Sequence, residues 1–368
     1  MMMIAGEASG DAHGAGVVRE LLRRHPGMDI TGIGGDLMRG AGMRTVFHVR
    51  EMSFMGFVEV IRHLPFIRRV ERTLEALLDR ERPDAVVLID YPGFNLRFAR
   101  AAKRRGITVI YYISPQVWAW KKGRVKRMKE LIDRMLVVFP FEVPIYEKEG
   151  IPVRFVGHPL VEEMKEGATR EAFCAKHGLD PAKGIIAVIP GSRKQEVRGL
   201  FRTMAAAALE VAGSGRQVAV AVAPNLTMDE YAHGVSHGAN VVFVRNDTHD
   251  VMKHAEFAFV ASGTATLETA CSGTPMVVVY RTAPVTYWIA RLVIRIRNIA
   301  LVNIVAGRTV VPELLQDAVT VPALVKEAAA ILSDDARRET MTKELARVRE
   351  LLGGPGAAAR VADAILTA

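Results

Sequence analysis

Short apolar runs recur along this chain and alternate with stretches of helical amphipathicity. In the first half the runs are Met1 to Ala5, Ala85 to Ile89, Thr108 to Ile113, Met135 to Phe139 and Val153 to Val156. Near-continuous apolar segments of that length predict strands buried on both faces of a parallel sheet. Between them, Val17 to Arg24 and Phe66 to Arg82 carry apolar residues at helical spacing. After Gly157, His158 and Pro159 the pattern restarts, with strands predicted at Ile185 to Ile189, Val218 to Val222, Val241 to Val244, Phe257 to Ala261 and Met276 to Tyr280. The alternation predicts an α/β chain of two Rossmann-like, doubly wound parallel-sheet domains facing across a cleft, with ligands at the carboxyl ends of the strands. The expected divisions are 1–160, 161–336 and a helical tail, 337–368, which either finishes the second domain or crosses back to the first.

Composition narrows the partners without choosing one. The chain has 368 residues, half of them hydrophobic, which is enough for two cores. Its formal net charge of +9 calls for an anionic partner: nucleic acid, a phospholipid surface or a phosphorylated substrate. Cys174 and Cys271 are the only cysteines and match no metal or redox spacing, which fits a reducing compartment. The start, MMMIAGEASGD, lacks a basic segment and reads as a first strand and not a signal peptide, so a cytoplasmic location is expected. The longest stretch free of charged side chains, Gly106 to Trp120, has 15 residues and contains Pro115, short of the roughly 20 that cross a bilayer.

Chemistry concentrates at the predicted strand ends. Gly6 to Gly14, GEASGDAHG, reads as a small-residue loop ahead of the Val17 to Arg24 helix, with Ser9 and Asp11 available as caps and Glu7 and His13 beside them. His13 is either a base or hydrogen-bond donor to substrate, or structural. Asp90 ends an apolar strand in IDYPGFN, where a doubly wound fold places working residues; it is either a base facing the cleft or a helix cap, and Asn95 is a candidate to hold a hydroxyl. SPQVWAW sets Trp118 and Trp120 beside KKGRVKRMK, and from Tyr91 to Lys129 there are eleven Lys or Arg and no acid. Such a surface suits anionic lipid or nucleic acid, or is a solvated helix face.

The second half offers two anion loops. Gly191, Ser192 and Arg193 follow a strand and combine backbone donors with a forked cation. Ser262, Gly263 and Thr264 follow the Phe257 to Ala261 strand at a helix start, with Glu268 about one turn further in, placed to accept from sugar hydroxyls. Either loop alone is an ordinary strand-to-helix turn; both in one domain favour a nucleotide diphosphate. There is no GxxxxGK[ST] cradle, the GIGG at Gly32 to Gly35 does not make a dinucleotide fingerprint, and no DxD pair or His cluster offers a metal seat. Pro284 to Ala300 reads either as an interfacial amphipathic helix or as a core-facing helix with a basic side, and Met52, Phe54, Met55 and Phe57 suit an acyl chain as well as a core.

With these residues in view, the chain resembles the lipid-A-disaccharide synthase family of bacterial glycosyltransferases. The resemblance runs nearly the whole length, through AGEASGD, MGFVEV, IDYPGFN, SPQVWAW, FPFE, FVGHP, PGSR, SGTATLE, the Tyr280–Arg281 pair and LVNIVAGR. It implies a GT-B-like fold, a UDP-2,3-diacylglucosamine donor and a 2,3-diacylglucosamine 1-phosphate acceptor. It further implies inversion at the anomeric carbon, no metal or cofactor, and work at the inner face of the cytoplasmic membrane on an anionic lipid surface. Nucleic acid is not an expected partner, and a homodimer is compatible with the resemblance. It casts Asp90 as base for the acceptor 6-hydroxyl, Arg193 and Ser262 to Thr264 as diphosphate ligands and Glu268 as ribose ligand. Asn303 and Arg308 become ligands of diphosphate or acceptor phosphate, and many members carry a second acid where Gly93 stands. The rivals are a UDP-N-acetylglucosamine 2-epimerase-like or peptidoglycan-type UDP-sugar enzyme, and, from another class, a basic membrane- or RNA-binding protein.

Overall fold

The computed structural model describes residues 1–52, 63–117, 123–164, 167–231, 234, 240–282 and 298–368. The chain forms two compact units, Met1–Pro159 with Gly353–Ala368, and Leu160–Leu352. Met52 therefore lies within the description, whereas Phe54, Met55, Phe57, Trp118, Trp120 and most of Pro284 to Ala300 fall outside the described residues.

The first unit is built on seven strands: β1 (Met2–Ala5), β2 (Thr31–Gly34), β3 (Arg44–His48), β4 (Ala85–Ile89), β5 (Thr108–Tyr112), β6 (Arg134–Val137) and β7 (Val153–Phe155). Their order in the sheet is β3-β2-β1-β4-β5-β6-β7, and every pairing is parallel. The second unit carries β8 (Gly184–Ile189), β9 (Arg216–Val222), β10 (Val241–Arg245), β11 (Phe257–Ala261), β12 (Met276–Tyr280) and β13 (Glu313–Leu315), in the parallel order β10-β9-β8-β11-β12-β13. All five residues of β4 and of β11 are buried, as helix-covered parallel strands require.

Chain order reverses once in each sheet, between β1 and β4 and between β8 and β11. The strands flanking each reversal end level with one another: Ala5 pairs with Ile89, and Val260 with Ile189. The loops leaving such strands diverge to opposite faces and open a crevice at the carboxyl edge, where doubly wound folds bind ligands. The loops at these two points begin at Gly6 and Asp90 in one unit and at Pro190 and Ser262 in the other.

Two expectations change. The segment Gly6 to Gly14 is not a long loop: the helix begins at Ala8 and runs to Arg24, leaving Gly6 and Glu7 as the connection. Its glycines serve contact, since a Cβ at Gly6 would lie 2.2 Å from the Tyr91 ring and one at Gly14 would lie 2.9 Å from Ile89 Cδ1. Asp11 does not cap its own helix. Its buried carboxylate accepts from the N–H groups of Gly35 (2.6 Å), Leu37 (3.1 Å) and Met38 (3.0 Å), capping the Asp36–Gly40 helix instead.

The last helix, Ala357–Leu366, lies in the first unit with Val361, Ala362, Ala364 and Ile365 buried. Polar clamps secure it: Arg24 pairs with Asp363, Arg360 Nε donates to Val156 O at 2.8 Å, and Arg134 Nη1 donates to Ala364 O at 2.6 Å. The preceding helix, Asp335–Leu351, stays with the second unit.

Candidate functional site

At the end of β4 the backbone leaves the strand in an unusual way. Asp90 and Tyr91 both adopt left-handed conformations, with φ of 45° and 47°, a region costly for residues bearing a Cβ. Asp90 N–H still pairs with Tyr112 O (2.9 Å), while its carbonyl turns inward to accept from Tyr111 Oη (2.5 Å) and Asn95 Nδ2 (2.7 Å). Asn95 also donates to Ile89 O at 3.2 Å and is wholly buried, so it braces the Asp90 turn where an acceptor-hydroxyl ligand was expected.

The Asp90 carboxyl is partly sheltered. Burial, and after it the Glu7 carboxylate, push its pKa up to about 6, against the opposing pull of the Tyr91 N–H and His13. Glu7 is exposed at the N-terminal end of the Ala8–Arg24 helix, and His13, in that helix's second turn, is half-buried; both act electrostatically on Asp90. Ser9 is exposed in the first turn of the same helix. Tyr91 Oη donates to Met52 O at 2.9 Å, which ties the strand end to the close of the Val49–Met52 helix, where Met52 itself is buried. Gly93 is exposed and a Cβ there would touch nothing within 4 Å, so the position has room for a side chain.

In the second unit, Gly191 turns with φ of 103°, and the Lys194–Ala212 helix follows. The backbone donors expected to face a diphosphate are occupied from within. Glu196 Oε2 accepts from Ser192 N (3.2 Å) and Arg193 N (3.3 Å), and Arg193 Nη1 donates to Glu196 Oε1 at 3.1 Å. A carboxylate of the chain thus sits on these donors. Arg193 remains largely exposed, 66 %, despite that pair.

The second loop differs. Ser262 N–H donates to Val279 O at 2.8 Å, Gly263 takes φ of 151°, and Thr266 Oγ1 closes the turn onto Gly263 O at 2.8 Å. Thr264 is exposed at the N-terminus of the Ala265–Cys271 helix. Among the described residues no partner takes the N–H of Gly263 or Thr264. Glu268 lies in that helix with its carboxyl pushed up by burial and by Glu163 and drawn down by His249.

Asn303 and Arg308 are engaged within the fold. Asn303 is fully buried: Nδ2 donates to Val311 O (2.9 Å) and Glu313 Oε1 (2.7 Å), and Oδ1 accepts from Val310 N (2.7 Å) and Val311 N (3.0 Å). That set uses its whole capacity on the entry to β13, so it is a structural brace and not an exposed anion ligand. Arg308 lies beyond the Leu301–Ala306 helix in the connection entering β13 at its amino end and pairs with Glu344, whereas the anion loops leave carboxyl ends. Arg281 donates to Gly199 O and Val319 O, a further brace. Among the described residues no group of three or more His, Cys, Asp or Glu could hold a metal ion, and no helix is long and apolar enough to cross a membrane.

The family model described as lipid-A-disaccharide synthetase matches residues 1–362. A lipid-A-disaccharide synthase of Geobacter metallireducens is 45% identical, covering 100% of this chain and 96% of its own. One of Myxococcus xanthus is 39% identical over 100% of this chain and 96% of its own. Among solved structures, a UDP-GlcNAc 2-epimerase from Neisseria meningitidis bound to UDP-GlcNAc superposes with a TM-score of 0.68 at 14% identity, covering 100% of this chain and 99% of that one. The calicheamicin glycosyltransferase CalG4 gives 0.63 at 19%, covering 100% and 96%. At such identities the solved structures report shared fold, which is the two-domain architecture of GT-B glycosyltransferases and UDP-GlcNAc 2-epimerases.

Proposed function

Because the chain belongs to the lipid-A-disaccharide synthase family of glycosyltransferases, we propose that it transfers 2,3-diacylglucosamine from its UDP-linked donor to the 6-hydroxyl of 2,3-diacylglucosamine 1-phosphate. Asp90 carries the reading. It ends the strand beside one topological switch point, and its carboxyl, raised to about 6, is ionised at neutral pH yet basic enough to take a hydroxyl proton.

The step is a single displacement. The acceptor oxygen forms a bond to the donor's anomeric carbon, its proton passes to the Asp90 carboxylate, and the carbon–oxygen bond to diphosphate breaks on the opposite face, inverting the centre. UDP leaves with the electron pair. Arg193, the N–H groups of Gly263 and Thr264 and the Ser262 hydroxyl take up the charge developing on the diphosphate, so the reading asks for no metal. For the loop at Gly191 and Ser192 to take part, the diphosphate must displace Glu196. Glu268 receives the ribose hydroxyls. Glu7 and Ser9 stand on the acceptor's side and His13 modulates Asp90, whereas Met52, fully buried, serves the core instead of an acyl chain.

Membrane association is part of the same reading. Both substrates are amphiphiles, and the Pro92–Lys103 helix and its exit expose Arg97, Arg100 and Arg104 without a nearby acid in sequence. Preferential sedimentation with vesicles containing anionic lipid over neutral ones supports it; equal partitioning refutes it.

The deciding assay is UDP release from UDP-2,3-diacylglucosamine with and without the phosphorylated acceptor, in detergent with EDTA. Acceptor-dependent release with a phosphorylated disaccharide is expected, and Asp90→Asn should lower turnover about 10²–10⁴-fold while sparing UDP affinity. Turnover of a deacylated UDP-sugar in place of the lipid donor would move the function to an epimerase-like chemistry.

A further inference from the structure

The Asp90 carbonyl is held by two buried side chains, Tyr111 and Asn95, the second of which also donates to Ile89 O. Tyr111 belongs to β5, beside β4, and its phenol reaches past the end of the pairing to place Oη 2.5 Å from Asp90 O. Asn95 Nδ2 reaches the same oxygen at 2.7 Å from the first turns of the Pro92–Lys103 helix. Both residues are 0 % exposed, and neither touches the carboxyl that the reaction uses. The carbonyl they hold belongs to a residue with a Cβ in the left-handed region, followed by a second such residue. An extended Asp90 would swing that carbonyl out of reach of both donors and turn its carboxyl elsewhere.

We propose that the Tyr111 hydroxyl, with Asn95, is a positioning residue that locks Asp90 in its left-handed conformation and so aims the carboxyl into the crevice between β1 and β4. The inference rests on the base role of Asp90 given above and adds to it the device that fixes the base. It also accounts for a fully buried tyrosine where phenylalanine would fill the same space. Burial and the charge of Asp90 hold the phenol well above its ordinary pKa, so it remains a donor throughout the working range. The groups that act on the Asp90 carboxyl are Glu7 and His13 from the β1 side and the Tyr91 N–H next to it in the chain, while Tyr111 from β5 feels its charge.

Tyr111→Phe removes one oxygen and keeps the ring. With the full-length enzyme, kcat should fall about 10–100-fold while KM for the UDP-linked donor and the affinity for UDP stay within twofold. The acidic limb of kcat should move from near pH 6 toward the ordinary carboxylate range, because an unlocked Asp90 gains solvent. In an Asp90→Asn background the same substitution should cost no further turnover. Unchanged kcat and an unmoved limb in Tyr111→Phe would overturn the proposal, as would an equal loss in both backgrounds, which marks a merely structural tyrosine. Should Tyr111→Phe not fold, Asn95→Ser removes the other donor and is read against the same outcomes. Full activity of Asp90→Asn alone would strike the base assignment itself, which is a different failure from an inert Tyr111.

Discussion

At the scale of single residues, the raised pKa of Asp90 ties its protonation to folding stability. Its folded pKa of about 6 lies above the ordinary 3.8, so the native state binds this proton more tightly than the unfolded chain does. Stability from this group is therefore greatest in acid and is lost as pH rises from the ordinary value through about 6. Asp90→Asn removes that penalty, and asparagine tolerates the left-handed region, so its Tm at pH 8 should equal or exceed that of the parent despite the lost turnover. Glu7 is the second cause of the raised value, and Glu7→Gln should shift the acidic limb of the pH–kcat profile to lower pH; a limb that does not move would remove Glu7 from the electrostatics of the site. Asn303 makes the opposite case. Alanine there strands two N–H donors, a carbonyl and a carboxylate, and should cost about 2–4 kcal/mol in chemical denaturation with little effect on UDP affinity in the folded fraction. A large affinity loss without destabilisation would restore Asn303 as a ligand.

At the scale of elements, Glu196 occupies the Ser192 and Arg193 donors that the proposed diphosphate site would need. Glu196→Gln keeps the length of the side chain and removes its charge, so UDP should bind several-fold more tightly, whereas Arg193→Ala should weaken it about tenfold. Calorimetric titration separates the two. The elements themselves were unequally legible in the sequence. β4 and β11 announce themselves as five-residue apolar runs because both of their faces are covered. β2, β3 and β13 do not: TGIG lacks bulk, and RTVFH and ELL are half-exposed edge strands. The start of the Ala8–Arg24 helix hid behind Gly, Ala and Ser, whose smallness answers Tyr91 and Ile89, groups more than 70 residues away in sequence. For the same reason Asp90, Arg193 and Ser262 to Thr264 were readable as strand-end residues, while Tyr111, which looks like any apolar strand residue, and Glu196, which looks like any first-turn acid, were not. Their roles depend on what lies beside them in space.

At the scale of the molecule, the unit bearing Asp90 is discontinuous in sequence, since the chain departs at Pro159 and returns at Gly353. Removing 353–368 uncovers apolar surface beside Arg24, Arg134 and Val156 and deletes their clamps. Hydrogen exchange should then show loss of amide protection in β1, β6 and β7, with β8 to β12 unchanged; intact protection in the first unit would show that the last helix is ornamental to its stability. The arrangement also has a temporal side. On the ribosome, the unit with the anion loops is finished once Leu352 has emerged, whereas the unit holding Asp90, although begun first, must wait for the final sixteen residues of this chain before its last helix can dock. On the proposed roles, synthesis completes the half assigned to UDP before the half assigned to the proton acceptor, and a chain cut short near residue 352 should bind UDP without turning over the UDP-linked donor.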